Sequence, residues 1–432
     1  MVAGLRGRFL KACYMSATES DSEAAHQDGK LKRSLGLIDI LMFGVGGIVG
    51  AGIYAIVGEA AGFAGHMLWA SFAVAAVVAL LTGLSYAEFV SRYPDAGGSF
   101  EYIKRSFGRK TALWMSLLML FTNVIAPAAI AISFSDYLGR LIEIPGWSSA
   151  FGIIVLMGII NAAGIQNASW FNTFATVVTL LGLLAVVGFA VPHWGEAKLL
   201  TWPDEGAGAI LSGGALIFFS YVGFEDLVKM AEETREPHKV MPRGIVVSGL
   251  IVLVVYLLIA ISVVAVLPPQ DLAESSGPLA AVLGEIAGPA WVTGLIVVAL
   301  FATSKTILSN LLGSSRLVYD VARDSGFNWL QKLTKVNHKT GTPLFAVAAI
   351  TIIVILFSLI GNLKVVASLS NIFVFLLFLS VNVALVRCRS IEDEPAPFHI
   401  PFSVGNVPIP TALAIAGLLT LLGFNVMNLL SS

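Results

Sequence analysis

Eleven apolar stretches, each near the length that crosses a bilayer, run through this chain. They lie near 36–60, 67–90, 111–138, 149–165, 171–192, 208–230, 243–267, 287–312, 342–361, 365–386 and 408–430. A spanning helix needs roughly 20 apolar residues, and the stretch at 149–165 is the shortest. The runs are continuous rather than alternating, which rejects a membrane β-barrel. Composition agrees: 12% charged and 57% apolar residues is about half the charge of a soluble domain. Such a chain cannot clothe a water-facing surface. A soluble enzyme and a nucleic-acid binder are excluded, and the expected fold class is an all-α polytopic membrane protein in a lipid bilayer.

Sidedness follows from Lys and Arg. Residues 1–33 are polar, with no apolar run behind a charged start, and read as a cytoplasmic tail rather than a signal peptide. With that end inside, 22 Lys and Arg fall on the cytoplasmic side. Arg140, Lys198 and Lys364 fall on the other, and Lys305 lies within a span. The bias predicts a cytoplasmic N-terminus and, with eleven spans, an outer C-terminus. Cys13 and Cys388 supply neither a disulfide framework nor a metal-ligand spacing, so no metal or cofactor is expected.

Two spans are poorly written as helices. The first holds Gly44, Gly46, Gly47, Gly50 and Gly52 within nine positions; each glycine costs about 1 kcal/mol against alanine in a helix interior. Close packing through small residues is the alternative reading of that stretch. The sixth span holds Gly213, Gly214, Ser220 and Gly223, followed at once by Glu225 and Asp226. Two carboxylates in an apolar segment are expensive and usually functional. If spans 1–5 and 6–10 are two repeats, these features occupy equivalent positions. Paired glycine-interrupted segments point to a transporter's midplane site. Unwinding frees N–H groups that attract a carboxylate and carbonyls that attract an ammonium, which suits an α-amino acid zwitterion.

Lys305 sits near the middle of span eight. A lysine there costs roughly 2.5–3.5 kcal/mol on insertion scales. Either it is paired structurally with carbonyls or an acid, or it works.

Four motifs carry a resemblance over about residues 34–390. They are SLGLID at 34–39, LSYAEFVSRYPDAGGSFEY at 84–102, FFSYVGFE at 218–225 continuing to AEETREP at 231–237 and MPRGI at 241–245, and GSSRLVY at 313–319 with ARD at 322–324. Jointly they resemble the amino acid–polyamine–organocation superfamily. The resemblance implies a leucine-transporter-like fold: two inverted five-helix repeats, 34–195 and 206–390, with helices one and six broken. A linker and one extra C-terminal helix follow at 391–432, where such proteins commonly reach twelve spans.

It also implies a substrate site around Ile48, Gly50, Ala51, Gly52, Phe219, Ser220, Val222, Gly223 and Glu225. The amides of Ala51 and Gly52 would hold the carboxylate. The carbonyls of Ile48, Phe219 and Val222 would receive the amino group, with Phe219 as an aromatic lid. Gly223 would bring the second half of span six close to the ligand. Glu225 would brace the unwound part of span one or carry a proton, and bracing is the preferred reading. Asp226 departs from the family pattern and is expected to pair with Lys229, one turn on; a cation-selective site is the sharper alternative.

Sodium-independent members often carry a lysine in span five, where this chain has Thr179. Lys305 is expected to reach the sodium-like site from span eight instead, tethering spans one and eight with Thr179 opposite. The alternative makes Thr179, Thr303 and Ser304 sodium ligands. Glu88 and Asp95 are expected to order the cytoplasmic loop around Arg92 and Arg105. Pro127 is expected to kink span three, and Asn123 to reach substrate or bridge helices.

The implied function is a secondary active permease for amino acids, working by alternating access in the plasma membrane. Sodium-independent proton coupling or exchange is expected. A polyamine or other organic-amine permease is the alternative within the class, and a channel or receptor the alternative outside it. No Walker motif supports ATP-driven pumping, and no enzyme chemistry is implied. A disulfide-linked heavy chain is not expected, since both cysteines fall on the cytoplasmic side. The oligomeric state is not specified.

Overall fold

The computed structural model describes residues 33–430 apart from 95–97, 326–327, 338–339, 341 and 393, and only the backbone of 165–170, 320, 324–325 and 328–330. The tail, with Cys13, and Asp95 therefore lie outside the described residues. Among the described residues, eight helical stretches are long and apolar enough to cross a membrane, and three shorter apolar helices accompany them. Helix is what such sequences must form in hydrocarbon, where each backbone group needs a partner within its own segment.

The first apolar stretch forms α1 (Leu37–Ile48) and α2 (Ala51–Ala64), separated at Val49–Gly50. Then come α3 (Leu68–Arg92), the short α4 (Ser99–Phe107), α5 (Arg109–Gly139), α6 (Gly146–Ala162) and α7 (Ile165–Ala190). Helix α5 continues through Pro127. The sixth stretch begins as α8 (Ala207–Ile217) and passes into 3-10 turns at Phe218–Tyr221. It resumes at Phe224–Glu233 as a 3-10 segment rather than an α-helix. The chain continues through α9 (Pro237–Val266), α10 (Pro269–Glu274), α11 (Pro278–Ile286), α12 (Pro289–Ser325), α13 (Leu344–Ser358) and α14 (Leu363–Ile391). A two-residue hairpin, β1 (Ser403–Val404) with β2 (Val407–Pro408), leads into α15 (Ile409–Leu430).

Packing follows a paired pattern. Helix α9 lies along α3, and α12 along α5; α1 lies on α9 as α8 lies on α3, and α7 on α12 as α14 on α5. Small residues set these close approaches, as expected where lipid gives no hydrophobic drive between helices. A Cβ on Gly44 of α1 would come within 2.3 Å of Ser248 Oγ on α9, and one on Gly249 of α9 within 2.5 Å of Leu80 on α3. Buried amides add cross-links. Ser85 Oγ donates to Asn382 Oδ1 at 2.8 Å, joining α3 to α14, and lies 3.2 Å from Thr411 Oγ1 on α15.

A charge clamp closes one end of the molecule. Glu88, fully buried on α3, takes both arms of Arg389 on α14, with Arg389 Nε at 2.7 Å from Oε1. The Ile400 amide adds a bond to Oε2 at 3.0 Å. Arg92 is a more distant neighbour of Glu88 at 3.7 Å and bonds Glu392 at 2.7 Å. Arg105 instead pairs with Glu101 on its own helix and lies over the Tyr93 ring. Glu88 therefore orders the α14 end and the linker beyond it as well as its neighbour Arg92, where it was expected to order the cytoplasmic loop around Arg92 and Arg105. A carboxylate this deeply buried needs the bidentate fork of an arginine, and α14 brings one directly opposite.

Candidate functional site

The two interrupted segments meet. Gly223 has φ +129° and lies against span one: a Cβ there would fall 2.6 Å from the Gly47 carbonyl oxygen. Both constraints, the left-handed region and the close approach, require glycine at this position.

Interrupting a helix exposes its terminal carbonyls and amides, and each must find a partner. At the end of α1, Lys305 Nζ donates to Gly46 O at 2.7 Å and to Val49 O at 2.9 Å. Tyr256 of α9 places its hydroxyl 3.2 Å from Ile48 O and 3.1 Å from Ser220 O, so one side chain addresses both breaks. At the start of α2, the Ala51 amide donates to Thr306 Oγ1 at 3.1 Å. In span six, Asn371 of α14 donates to Ala215 O at 2.9 Å, and Glu225 accepts from the Gly223 amide at 2.8 Å.

A cavity of about 190 Å³ reaches these breaks. Its inner wall includes Gly46, Gly47, Val222, Gly223, Lys305 and Thr306. Phe43, Asn172, Met230 and Asn310 line it too, on the side of the breaks where α1 begins. The opposite side of the breaks is packed shut by aromatic side chains. Tyr54 and Tyr137 meet edge to face at 6.4 Å, as do Phe72 and Tyr256 at 5.8 Å. Tyr137 donates to Tyr54 O at 3.1 Å across that seal.

Comparison with known proteins reads the same residues. The family model for amino acid permeases matches residues 35–430. The chain belongs to the amino acid permease family. It is 29% identical to a branched-chain amino acid permease of Bacillus subtilis, over 91% of this chain and 88% of that protein. It is also 29% identical to cationic amino acid transporter 7 of Arabidopsis thaliana, a chloroplastic protein, over 88% of this chain and 70% of that one. An uncharacterized transporter of Mycobacterium tuberculosis is 29% identical over 85% and 82% of the two chains. The permease is thus a multi-pass membrane transporter of small solutes.

The expected site residues divide in this permease. Val222, Gly223, Glu225 and Lys305 line the cavity. Ile48, Ala51, Phe219 and Ser220 are buried behind its inner wall, with Gly50 and Gly52. The Ser220 hydroxyl is 1% exposed and has no hydrogen-bond partner among the described residues. Asp226 pairs with Lys229 at the cavity wall. Asn123 also lines the cavity, and its carbonyl accepts from Ser314 on α12 at 3.0 Å.

Lys305 is 2% exposed and reaches span one from α12. Its third bond, at 2.8 Å, goes to Thr176 Oγ1; Thr179 was the residue expected opposite the ammonium. The Thr179 and Thr303 hydroxyls bond back to Ala175 O and Ala299 O on their own helices, at 2.6 and 2.8 Å. Ser304 is buried. Thr176 lies one turn before Thr179 on α7, level with the ammonium.

Four contributors went unread in the sequence: Thr306, Thr176, Tyr256 and Asn371. Tyr256 carried a signal, as the one tyrosine in the aliphatic run of α9. Thr306 adjoins the conspicuous Lys305. Thr176 had none beyond lying on the expected helix.

Proposed function

We propose that this permease is a secondary active transporter of α-amino acids that works by alternating access and does not use sodium. The observation that carries the reading is the meeting of two broken helices at the inner wall of the cavity. Carbonyls and amides of opposite polarity lie a few residues apart there, with the fixed ammonium of Lys305 beside them. That polarity matches a zwitterion, with the carboxylate at the Ala51 and Gly52 amides and the amino group toward the Ile48, Phe219 and Val222 carbonyls. The names of its relatives, a branched-chain amino acid permease and a cationic amino acid transporter, support the same substrate class.

Lys305 supports sodium independence. Its ammonium sits among two backbone carbonyls and a threonine hydroxyl, an oxygen set of the kind a hard cation takes. A metal cation at the same oxygens would meet a positive charge at bonding distance. The paired packing of α1 on α9 with α8 on α3, and of α7 on α12 with α14 on α5, supports two inverted repeats at 34–195 and 206–390, with α15 added. The Lys and Arg bias supports a cytoplasmic N-terminus, and a cavity on the α1 side of the breaks supports reading this as an inward-facing state. Glu225 holds the Gly223 amide of its own segment rather than span one, which it was expected to brace, and that bond supports a bracing role at the second break.

Counterflow into proteoliposomes tests the reading, with a panel of amino acids and polyamines, with and without sodium and a pH gradient. Accumulation of an α-amino acid unchanged by sodium is the expected result. Polyamine transport that α-amino acids do not compete with overturns the substrate class, and a requirement for sodium overturns the role of Lys305.

A further inference from the structure

We infer that Thr306 is a built-in stand-in for the substrate carboxylate, which occupies the Ala51 amide in the empty protein and is displaced when an amino acid binds. The inference rests on the amino acid reading above and adds a residue that sets affinity.

The geometry of the hydroxyl carries it. Thr306 Oγ1 donates its proton to Ala302 O at 2.8 Å, one turn back on α12. With the proton committed, only lone pairs face the Ala51 amide, which donates to the same oxygen at 3.1 Å. Toward α2 the hydroxyl therefore plays the part of a carboxylate oxygen: an acceptor at the first amide of a helix. The fit is close, since a Cβ on Gly50 would lie 2.6 Å from Thr306 Oγ1. Thr306 also lines the cavity, so a solute arriving by that route meets the side chain it must replace.

A second observation marks the place as built for a ligand. The Ser220 hydroxyl, 1% exposed and without a partner among the described residues, faces the start of α2 from the other broken segment. It lies 3.0 Å from the position a Cβ on Gly52 would take. Buried hydroxyls are normally satisfied, and an arriving carboxylate supplies the missing acceptor.

The exchange runs in favour of the ligand. A hydrogen bond to an ionised acceptor is roughly twice as strong as one between neutral groups. A carboxylate with two oxygens can take the Ala51 amide and the Ser220 proton together. Lys305, one residue before, keeps its bonds to Gly46 and Val49 throughout. Substrate thus releases the grip of α12 on α2 while its grip on α1 persists. One ligand thereby changes how α12 holds the two halves of span one.

The test is direct binding by calorimetry to the purified full-length protein. The probes are L-leucine and L-arginine, each beside its carboxamide, which lacks the carboxylate, and a polyamine, spermidine. Thr306→Val removes the hydroxyl and keeps the shape, so the Ala51 amide waits unpaired and binding displaces nothing. The amino acid that wild type binds is expected to bind about tenfold more tightly to T306V, with its carboxamide unchanged. Thr306→Ser keeps the oxygen and is expected to match wild type. Thr306→Ala removes the same oxygen with less bulk and carries the test if valine does not pack.

Weaker or unchanged amino acid binding in both T306V and T306A overturns the inference, because Thr306 would then be a direct ligand or a bystander. An equal gain for the carboxamides overturns it too. Failure of wild type to bind either amino acid, while binding a polyamine, overturns the amino acid reading and this inference with it. Wild-type binding without the variant gain overturns this inference alone.

Discussion

At the first break the carbonyls of Gly46, Ile48 and Val49 and the amide of Ala51 are all taken by side chains from other helices, α9 and α12. At the second, the Gly223 amide is taken by Glu225, two residues further along the same segment, and the Ala215 carbonyl by Asn371 of α14. The first break is therefore held from outside, and its bonds depend on where α9 and α12 stand relative to α1 and α2. The second is also held from outside, at Ala215 by Asn371 and at Ser220 by Tyr256, but its turn at Gly223 is braced from within by Glu225. A segment held from outside registers the movement of its neighbours; a self-braced turn acts as a fixed corner. Tyr256 joins the two, with one hydroxyl between Ile48 O and Ser220 O.

Breaking the first site at its charged partner has the largest expected effect. Lys305→Ala leaves two buried carbonyls and the Thr176 hydroxyl without their donor. A loss of about 3 kcal/mol in stability is expected, read from thermal unfolding in detergent, together with loss of counterflow. Transport at the wild-type rate would show that the ammonium is a filler rather than a fastener.

Gly223→Ala attacks the fixed corner instead. The new Cβ meets the Gly47 carbonyl at 2.6 Å on a backbone at φ +129°, and about 2 kcal/mol of destabilisation is expected. If the second break were as adjustable as the first, the unfolding temperature would barely move.

Tyr256→Phe removes only the shared hydroxyl and is expected to cost about 1 kcal/mol. Its sharper readout is the coupling of the two breaks. In a double-mutant cycle with Lys305→Ala it should be non-additive, since both side chains hold α1; strict additivity would mean that the breaks are independent.

The smallest effect belongs to Asp226→Asn. Its partner Lys229 is on the same 3-10 segment and both side chains are well exposed, Asp226 at 62%. A change under about 0.5 kcal/mol is expected. A large loss of transport with stability intact would favour the cation-site reading of this acid over the structural pair.

The places where this comparison was and was not readable follow a physical pattern. Glycine clusters are local facts, so the positions of both breaks were legible from Gly46, Gly47 and Gly223. Lys305 was legible because a lysine amid apolar residues demands a partner whatever the fold. Thr179 was named where Thr176 makes the bond, because the two lie one turn apart on nearly the same side of α7. Periodicity fixes the face a residue presents but not the depth at which one helix slides against another. The same limit hid Arg389, which lies 301 positions from Glu88.

By itself the sequence determined the class of molecule, its apolar crossings, the two interrupted segments and the charges on or beside them, Glu225, Asp226 and Lys305. These follow from composition and from the intrinsic cost of glycine and of charge within a membrane helix. Only the tertiary structure decided which atoms meet. Thr176 at the ammonium, Tyr256 between the breaks and Thr306 on the Ala51 amide depend on how far each helix is shifted and rotated against its neighbours, and that is set by packing among residues hundreds of positions apart.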